Sequence, residues 1–253
     1  YNKLLEKKKS HITIVLGDVN STSATSIAAK YHGVQLVHVE SGLRSYDREM
    51  PEEINRLLTD SLSDIHFTTT TNASKNLINE GIDKNKIFFV GNIMIDTLFI
   101  FFEKIKKRNY FKKLSLKENK YLVLTIHRKS NVKNFKKIRK LLILLREQFK
   151  DYQIVFPIHH VLRSYKNRFK KFNNLIIIKP LNYIDFNSLV LNSKAIFTDS
   201  GGISEETIFL QKKCFTFRKN TERPETILSG ANKLLEINKK SILQSYKIIN
   251  SKI

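Results

Sequence analysis

Along this chain, acidic side chains and a histidine stand where apolar runs end, the places at which an open α/β sheet presents groups to a ligand. The run His11 to Gly17 delivers Asp18, and Asn20, Ser21 and Thr22 behind it are suited to cap a helix. A second run, Leu36 to Glu40, ends on a carboxylate, with Arg44 in the loop beyond. Burying such a glutamate costs on the order of several kcal/mol unless it is paired or protonated, so a partner or a raised pKa is expected. Met50-Pro51-Glu52-Glu53 opens a helix with proline near its first position. Helix electrostatics alone account for those two carboxylates, and only their company with Asp18 and Glu40 makes a catalytic role attractive. Tyr121 to Ile126 leads to His127, a place for a cationic or proton-transferring group, although a lone histidine there is more often a structural one. Thr198-Asp199-Ser200-Gly201-Gly202 runs from a strand through glycines into a helix, which lets backbone amides and the helix dipole face an anion such as a diphosphate. A tight structural turn is the alternative, since neither Walker A nor GxGxxG spacing is present. Arg223, in Thr221-Glu222-Arg223-Pro224-Glu225, could complete the neutralisation of a phosphate.

Alternating β-branched runs and helical patterns must position these groups, an order that predicts an α/β fold with parallel sheets. The expected strands are 11–17, 36–40, 66–70, 87–91, 121–127, 152–158, 175–179, 195–199 and 214–218. Phe135, Ile138, Leu141, Leu142 and Leu145 repeat at helical spacing between two of them, with basic residues on the opposite face. Between Phe99 and Lys120 an apolar helix is expected to pass into a basic, loop-like connector carrying Lys104, Lys106, Lys107, Arg108 and Lys112. The chain then divides into residues 1–105 and 106–253.

Composition narrows the function classes. A formal charge of +22 would by itself suggest a polyanionic partner. The lysines are spread over the whole length without a tight basic block or an aromatic-interleaved stripe, so neither a nucleic-acid nor a membrane partner is expected. The single cysteine, Cys214, excludes an internal disulfide. No apolar run approaches the roughly 20 residues that span a bilayer, and a cytoplasmic setting fits. Metal-spaced Cys/His clusters are lacking, and the adjacent His159 and His160 suit one metal poorly.

Taken in order, GDVNSTSAT, HVESGLRSYDREMPEEINR, GNIMIDTL, TIHRKSN, PLNYIDF, TDSGGISEE and NTERPE resemble the non-hydrolysing UDP-N-acetylglucosamine 2-epimerases over nearly the whole chain. That resemblance implies a GT-B-like architecture, two Rossmann-like domains with the active site in the cleft. It also implies the chemistry: loss of the C2 proton with expulsion of UDP, an enzyme-bound 2-acetamidoglucal, then return of UDP and a proton to give UDP-N-acetylmannosamine for surface polysaccharide synthesis. Neither a nicotinamide cofactor nor a metal takes part, and a homodimer is implied. Carried over by motif, Asp18, Glu40, Glu52 and His127 are catalytic; Ser200, Gly201 and Gly202 form the diphosphate loop; Glu206 contacts the ribose, Phe186 the uracil, and Arg223 the nucleotide. Acid and base roles among the carboxylates are left open. Val19 stands where the family usually has threonine, Ser41 where alanine is common, and Lys129-Ser130 where Arg-Glu is frequent. The chain starts downstream of the family's first glycine-threonine-arginine-proline-glutamate turn and stops before its last helices. A truncated chain is therefore expected, with an incomplete N-terminal domain and an exposed sheet edge. Two other readings stand beside the main one: epimerisation of a related UDP-sugar such as a 2,3-diacetamido uronate, and a non-catalytic UDP-sugar-binding remnant.

Overall fold

The protein is described by a computed structural model covering residues 1–8, 10–132, 134–169 and 172–251. The chain forms two compact units, one of residues 1–93 with 220–223 and one of residues 94–219 with 224–253.

The first unit runs α1 (Asn2–Lys7), β1 (Ile12–Leu16), α2 (Asn20–Tyr31), β2 (Gln35–Ser41), α3 (Pro51–Leu62), β3 (Ile65–Thr68), α4 (Thr71–Asn79) and β4 (Ile87–Phe89). Its strands are parallel in the order β1-β2-β3-β4. Helix crossovers between them are what parallel pairing requires. Local signals fix the helix starts: Pro51 opens α3, and the Thr70 hydroxyl accepts from the Ala73 amide at the start of α4. Small side chains, Ser26 and Ala29, let α2 pack closely, and a compact apolar cluster joins Leu5, Val15, Ala29, Val34 and Leu36. Strand β1 lies at the edge and alternates: Thr13 and Val15 are buried, whereas Ile12, Ile14 and Leu16 are 51%, 67% and 54% exposed.

The second unit begins with α5 (Ile93–Arg108), whose first residue belongs to the first unit, and continues through β5 (Tyr121–Leu124), α6 (Lys129–Val132), α7 (Phe135–Gln148), β6 (Gln153–Pro157), α8 (Lys166–Phe169) and β7 (Leu175–Ile178). It is completed by α9 (Tyr183–Leu191), β8 (Ala195–Thr198), α10 (Gly201–Phe209), β9 (Lys213–Thr216), α11 (Pro224–Leu228), β10 (Asn232–Leu234) and α12 (Lys239–Asn250). The parallel sheet has the order β10-β9-β8-β5-β6-β7, so the chain reverses direction across the sheet between β5 and β8. Both faces are covered. Leu122, Leu124, Phe156, Phe197 and Phe215 pack on one side, and Tyr121, Val123, Val155, Ile196 and Cys214 on the other. Continuous apolar strands are the signature of a sheet buried on both faces.

Each expected strand is present, most of them shorter than the apolar run that announced it. The basic stretch expected as a loop is instead helical to Arg108, followed by a 3-10 turn over Tyr110–Leu114. Leu98 and Ile105, both fully buried, keep the apolar phase running beneath lysines that are themselves good helix formers. No helix among the described residues is long and apolar enough to cross a membrane.

Candidate functional site

In the first unit, the carboxyl ends of β1 and β2 bring the predicted carboxylates into one polar cluster. Asp18 is paired with Arg56 of α3, whose Nε lies 3.0 Å and Nη2 2.9 Å from its Oδ2. Arg56 is 1% exposed and also holds Glu53 through Nη1. Glu53 in turn accepts from the Ser45 amide and hydroxyl and from the Tyr46 amide, closing the loop that follows β2. Glu53 is thus committed to structure. Glu52, its half-buried neighbour, makes no hydrogen bond among the described residues and is left available for chemistry.

Glu40 sits at an irregularity in β2, where the pairing with β3 shifts between Val39 and Ser41. Its φ of 69° is left-handed, an uncommon conformation for a residue with a Cβ, and strain of this sort persists only where the surroundings over-determine it. Those surroundings centre on Asp60, 2% exposed. His38 Nδ1 lies 2.6 Å from Asp60 Oδ1, the Ser41 hydroxyl donates to the same oxygen over 2.5 Å, and the Gly42 amide and Arg44 Nη1 reach Oδ2 at 3.1 and 2.7 Å. Burial opposes ionisation of Asp60, but His38, Arg44 and Ser41 outweigh it and hold the carboxyl well below the ordinary value of 3.8. His38 Nε2 is 3.0 Å from the Gly17 carbonyl, so one network spans the turns carrying both Asp18 and Glu40. Gly17 is needed for its left-handed backbone, φ 67°, rather than for space, since a Cβ there would make only an ordinary contact of 3.6 Å with Glu40 Oε2. Arg223 Nη2 approaches the same oxygen to 3.9 Å, supplying the cationic partner that a carboxylate at this strand end calls for.

In the second unit the candidate residues gather where the sheet order reverses, beyond the ends of β5 and β8, the position at which open α/β sheets bind ligands. His127 follows β5, and its Nδ1 lies 2.9 Å from Oδ1 of Asp199, which follows β8. Asp199 is fully buried and accepts from the His127 and Arg128 amides and the Asn131 side chain. Burial works against its charge, yet the bonds from His127 and Asn131 prevail and keep its pKa below the usual range. A proton on Nδ1 shared with Asp199 leaves Nε2 of the 43%-exposed His127 free to exchange one. Immediately beyond Asp199, Ser200 caps α10 in extended conformation, with Gly201 and Gly202 at the first two helical positions. Their amides belong to the first turn, which has no intrahelical acceptors and favours anions. A Cβ on Gly202 would lie 2.7 Å from the Met94 methyl, which would have to swing aside. One turn on, Glu206 faces α9, where Tyr183 donates its hydroxyl to Glu206 Oε1 over 2.9 Å. Phe186, half-buried, lies on the same helix. Among the described residues, no group of three or more His, Cys, Asp or Glu is arranged to hold a metal ion.

The UDP-N-acetylglucosamine 2-epimerase family model matches residues 1–252. A UDP-N-acetylglucosamine 2-epimerase homolog of Methanococcus maripaludis is 40% identical over 98% of this chain and 71% of its own length. The chain belongs to this family. The UDP-N-acetylglucosamine 2-epimerase of Methanocaldococcus jannaschii, solved in complex with UDP-GlcNAc and UDP, superposes with a TM-score of 0.91 at 38% identity, covering 99% of this chain and 72% of that one. The Neisseria meningitidis epimerase bound to UDP-GlcNAc gives 0.88 at 32% identity, over 97% and 70% of the two chains. A more distant substrate class is also represented: a UDP-2,3-diacetamido-2,3-dideoxy-D-glucuronate 2-epimerase of Pseudomonas aeruginosa is 35% identical over 94% of this chain and 67% of its own length.

In this epimerase fold the predicted residues form two groups. Asp18, Glu40 and Arg223 cluster in the first unit, with Glu52 on the helix that supplies Arg56; His127, Ser200, Gly201, Gly202, Glu206 and Phe186 line the second. Sequence reasoning passed over Arg56, Asp60 and Asp199, which hold the others in place. Asp199 was signalled by its position directly after an apolar strand. Asp60 and Arg56 carried no local signal, because a buried charge on an amphipathic helix looks like a solvated one until its neighbours are known.

Proposed function

We propose that this chain is a UDP-N-acetylglucosamine 2-epimerase, interconverting UDP-GlcNAc and UDP-ManNAc by eliminating and re-adding UDP through 2-acetamidoglucal. The observation that carries this is a division of labour between Asp18 and Glu40 at adjacent strand ends: Asp18 is bound by the buried Arg56, while Glu40 sits on a strained backbone beside Gly17 and Arg223. Proton removal at C2 and proton return need two differently placed groups, and carboxylates within hydrogen-bonding reach serve that purpose. Glu52 and His127 complete the catalytic set. Departure of a diphosphate needs fixed positive potential, which the amides of Gly201 and Gly202 behind Ser200 at the start of α10 supply, and Arg223 is a nucleotide contact. Phe186 and Glu206 hold the uracil and ribose. The same reading takes the protein to be a cytoplasmic homodimer that needs no cofactor.

Incubation with UDP-GlcNAc in deuterated water tests the reading: UDP-ManNAc forms and deuterium appears at C2. A folded, UDP-binding sample that gives neither product is a binding remnant, and the proposal fails. Offering the 2,3-diacetamido uronate in parallel separates the two substrate classes.

A further inference from the structure

Glu206 is an unusual group to find buried. It is 6% exposed, and no arginine, lysine or histidine among the described residues lies within ion-pairing distance of its carboxylate. Burial accordingly pushes its pKa up, against the pull of the Tyr183 hydroxyl. A carboxyl in such a position is costly unless donors are aimed at it, and one fixed donor, Tyr183, serves only one of its two oxygens. Beside it, Asn187 is 1% exposed and neither atom of its amide has a hydrogen-bond partner, although it is close enough to Glu206 to lower that carboxyl's pKa. Tyr183, Phe186 and Asn187 occupy positions i, i+3 and i+4 of α9 and so share one face of the helix. The Tyr183 ring is itself braced edge-on by Phe101, with centroids 6.3 Å apart, and Asp185 in the same turn is anchored by Arg108. This face therefore presents its hydroxyl to Glu206 from a fixed position.

We infer that Tyr183 is a positioning residue that makes the nucleotide site select ribose over 2′-deoxyribose: by occupying Oε1 of Glu206, it turns the other oxygen into an acceptor for a sugar hydroxyl. The inference deepens the proposed function and rests on Glu206 being the ribose contact. A ligand with both ribose hydroxyls brings the donors that the buried carboxyl lacks. One missing a hydroxyl leaves it unsatisfied, and sites built around a substrate hydroxyl reject the analogue without it far more strongly than apolar pockets reject a methylene. Tyr183 is 36% exposed and its ring stays in place in Tyr183→Phe, so that variant folds.

The test is calorimetric titration of the whole chain and of Tyr183→Phe with UDP and with 2′-deoxy-UDP, which needs no turnover. The unchanged protein should bind UDP about tenfold more tightly than the deoxy analogue, in line with one hydrogen bond to a charged acceptor. In Tyr183→Phe the preference should fall to about two- to threefold, through weaker UDP binding with 2′-deoxy-UDP affinity changed by less than about twofold. A ratio that survives the substitution overturns the inference, as does an equal loss for both ligands, which would mean that Tyr183 only packs. Equal affinities in the unchanged protein overturn it too. No UDP binding by the folded, unchanged protein overturns the functional proposal itself, and this inference with it.

Discussion

The two units are stabilised in opposite ways. The second is an apolar sandwich, with every residue of β5 and β8 buried and aromatic rings of Phe149, Phe197, Phe215 and Phe217 packed against one another. Its catalytic candidates stand on top of that rigid sheet and need little further support beyond Asp199. The first unit has a small apolar cluster and an edge strand with one bare face, and order at its strand ends comes from buried charge: Arg56 for Asp18, and Asp60 with His38, Ser41 and Arg44 around Glu40. Where apolar packing is scarce, geometry is held by polar groups that must all be satisfied together.

That contrast is broken first by matched core substitutions. Asp60→Ala strips the buried His38 and Ser41 of their shared acceptor and leaves Arg44 with Glu80 alone, and should destabilise the first unit by about 3–5 kcal/mol. Phe197→Ala should cost the second unit a similar amount, about 3–5 kcal/mol, as a cavity. Hydrogen exchange distinguishes the two: the first change strips amide protection from β2 and β3, the second from β5 and β8. Asp199→Asn should be smaller in stability and larger in turnover, lowering kcat about 100-fold by releasing the His127 ring while UDP affinity holds. Steady-state kinetics with a parallel UDP titration measures both.

The acid response sharpens the comparison further. Because the carboxyl of Asp60 is depressed in the folded state, its contribution is present above the ordinary value of 3.8 and is lost as pH falls below it. Urea midpoints of the first unit should therefore drop below about pH 4, and Asp60→Asn should flatten that slope. The smallest effect is expected at Lys30, which pairs with Asp64 at 2.8 Å with both side chains one-third exposed. Lys30→Ala should change stability by about 0.5 kcal/mol, within reach of chemical denaturation.

Much of this was legible in the sequence. Apolar runs marked every strand but one: β10, Asn-Lys-Leu, has no β-branched residue and pairs only because β9 offers its edge. The site motifs were legible because strand ends and glycine turns carry local signatures. What could not be read was the support beneath them. His38, Arg56 and Asp60 take their meaning from partners as far as 38 positions away in sequence, and an arginine on α3 shows no sign of burial until β1 and β2 enclose it. The extension of α5 to Arg108 was obscured in the same way, by surface lysines over a buried phase.

The bare face and free edge of β1 bear on how this protein behaves in a tube. Ile12, Ile14 and Leu16 form an alternating apolar row on an edge strand, the pattern that invites a second strand, and the mutual repulsion of chains carrying +22 opposes such an approach. Electrolyte weakens that barrier, since the Debye length shrinks from about 30 Å at 0.01 M to about 8 Å at 0.15 M. Concentrated stocks should stay clear in dilute buffer and turn turbid as sodium chloride is added.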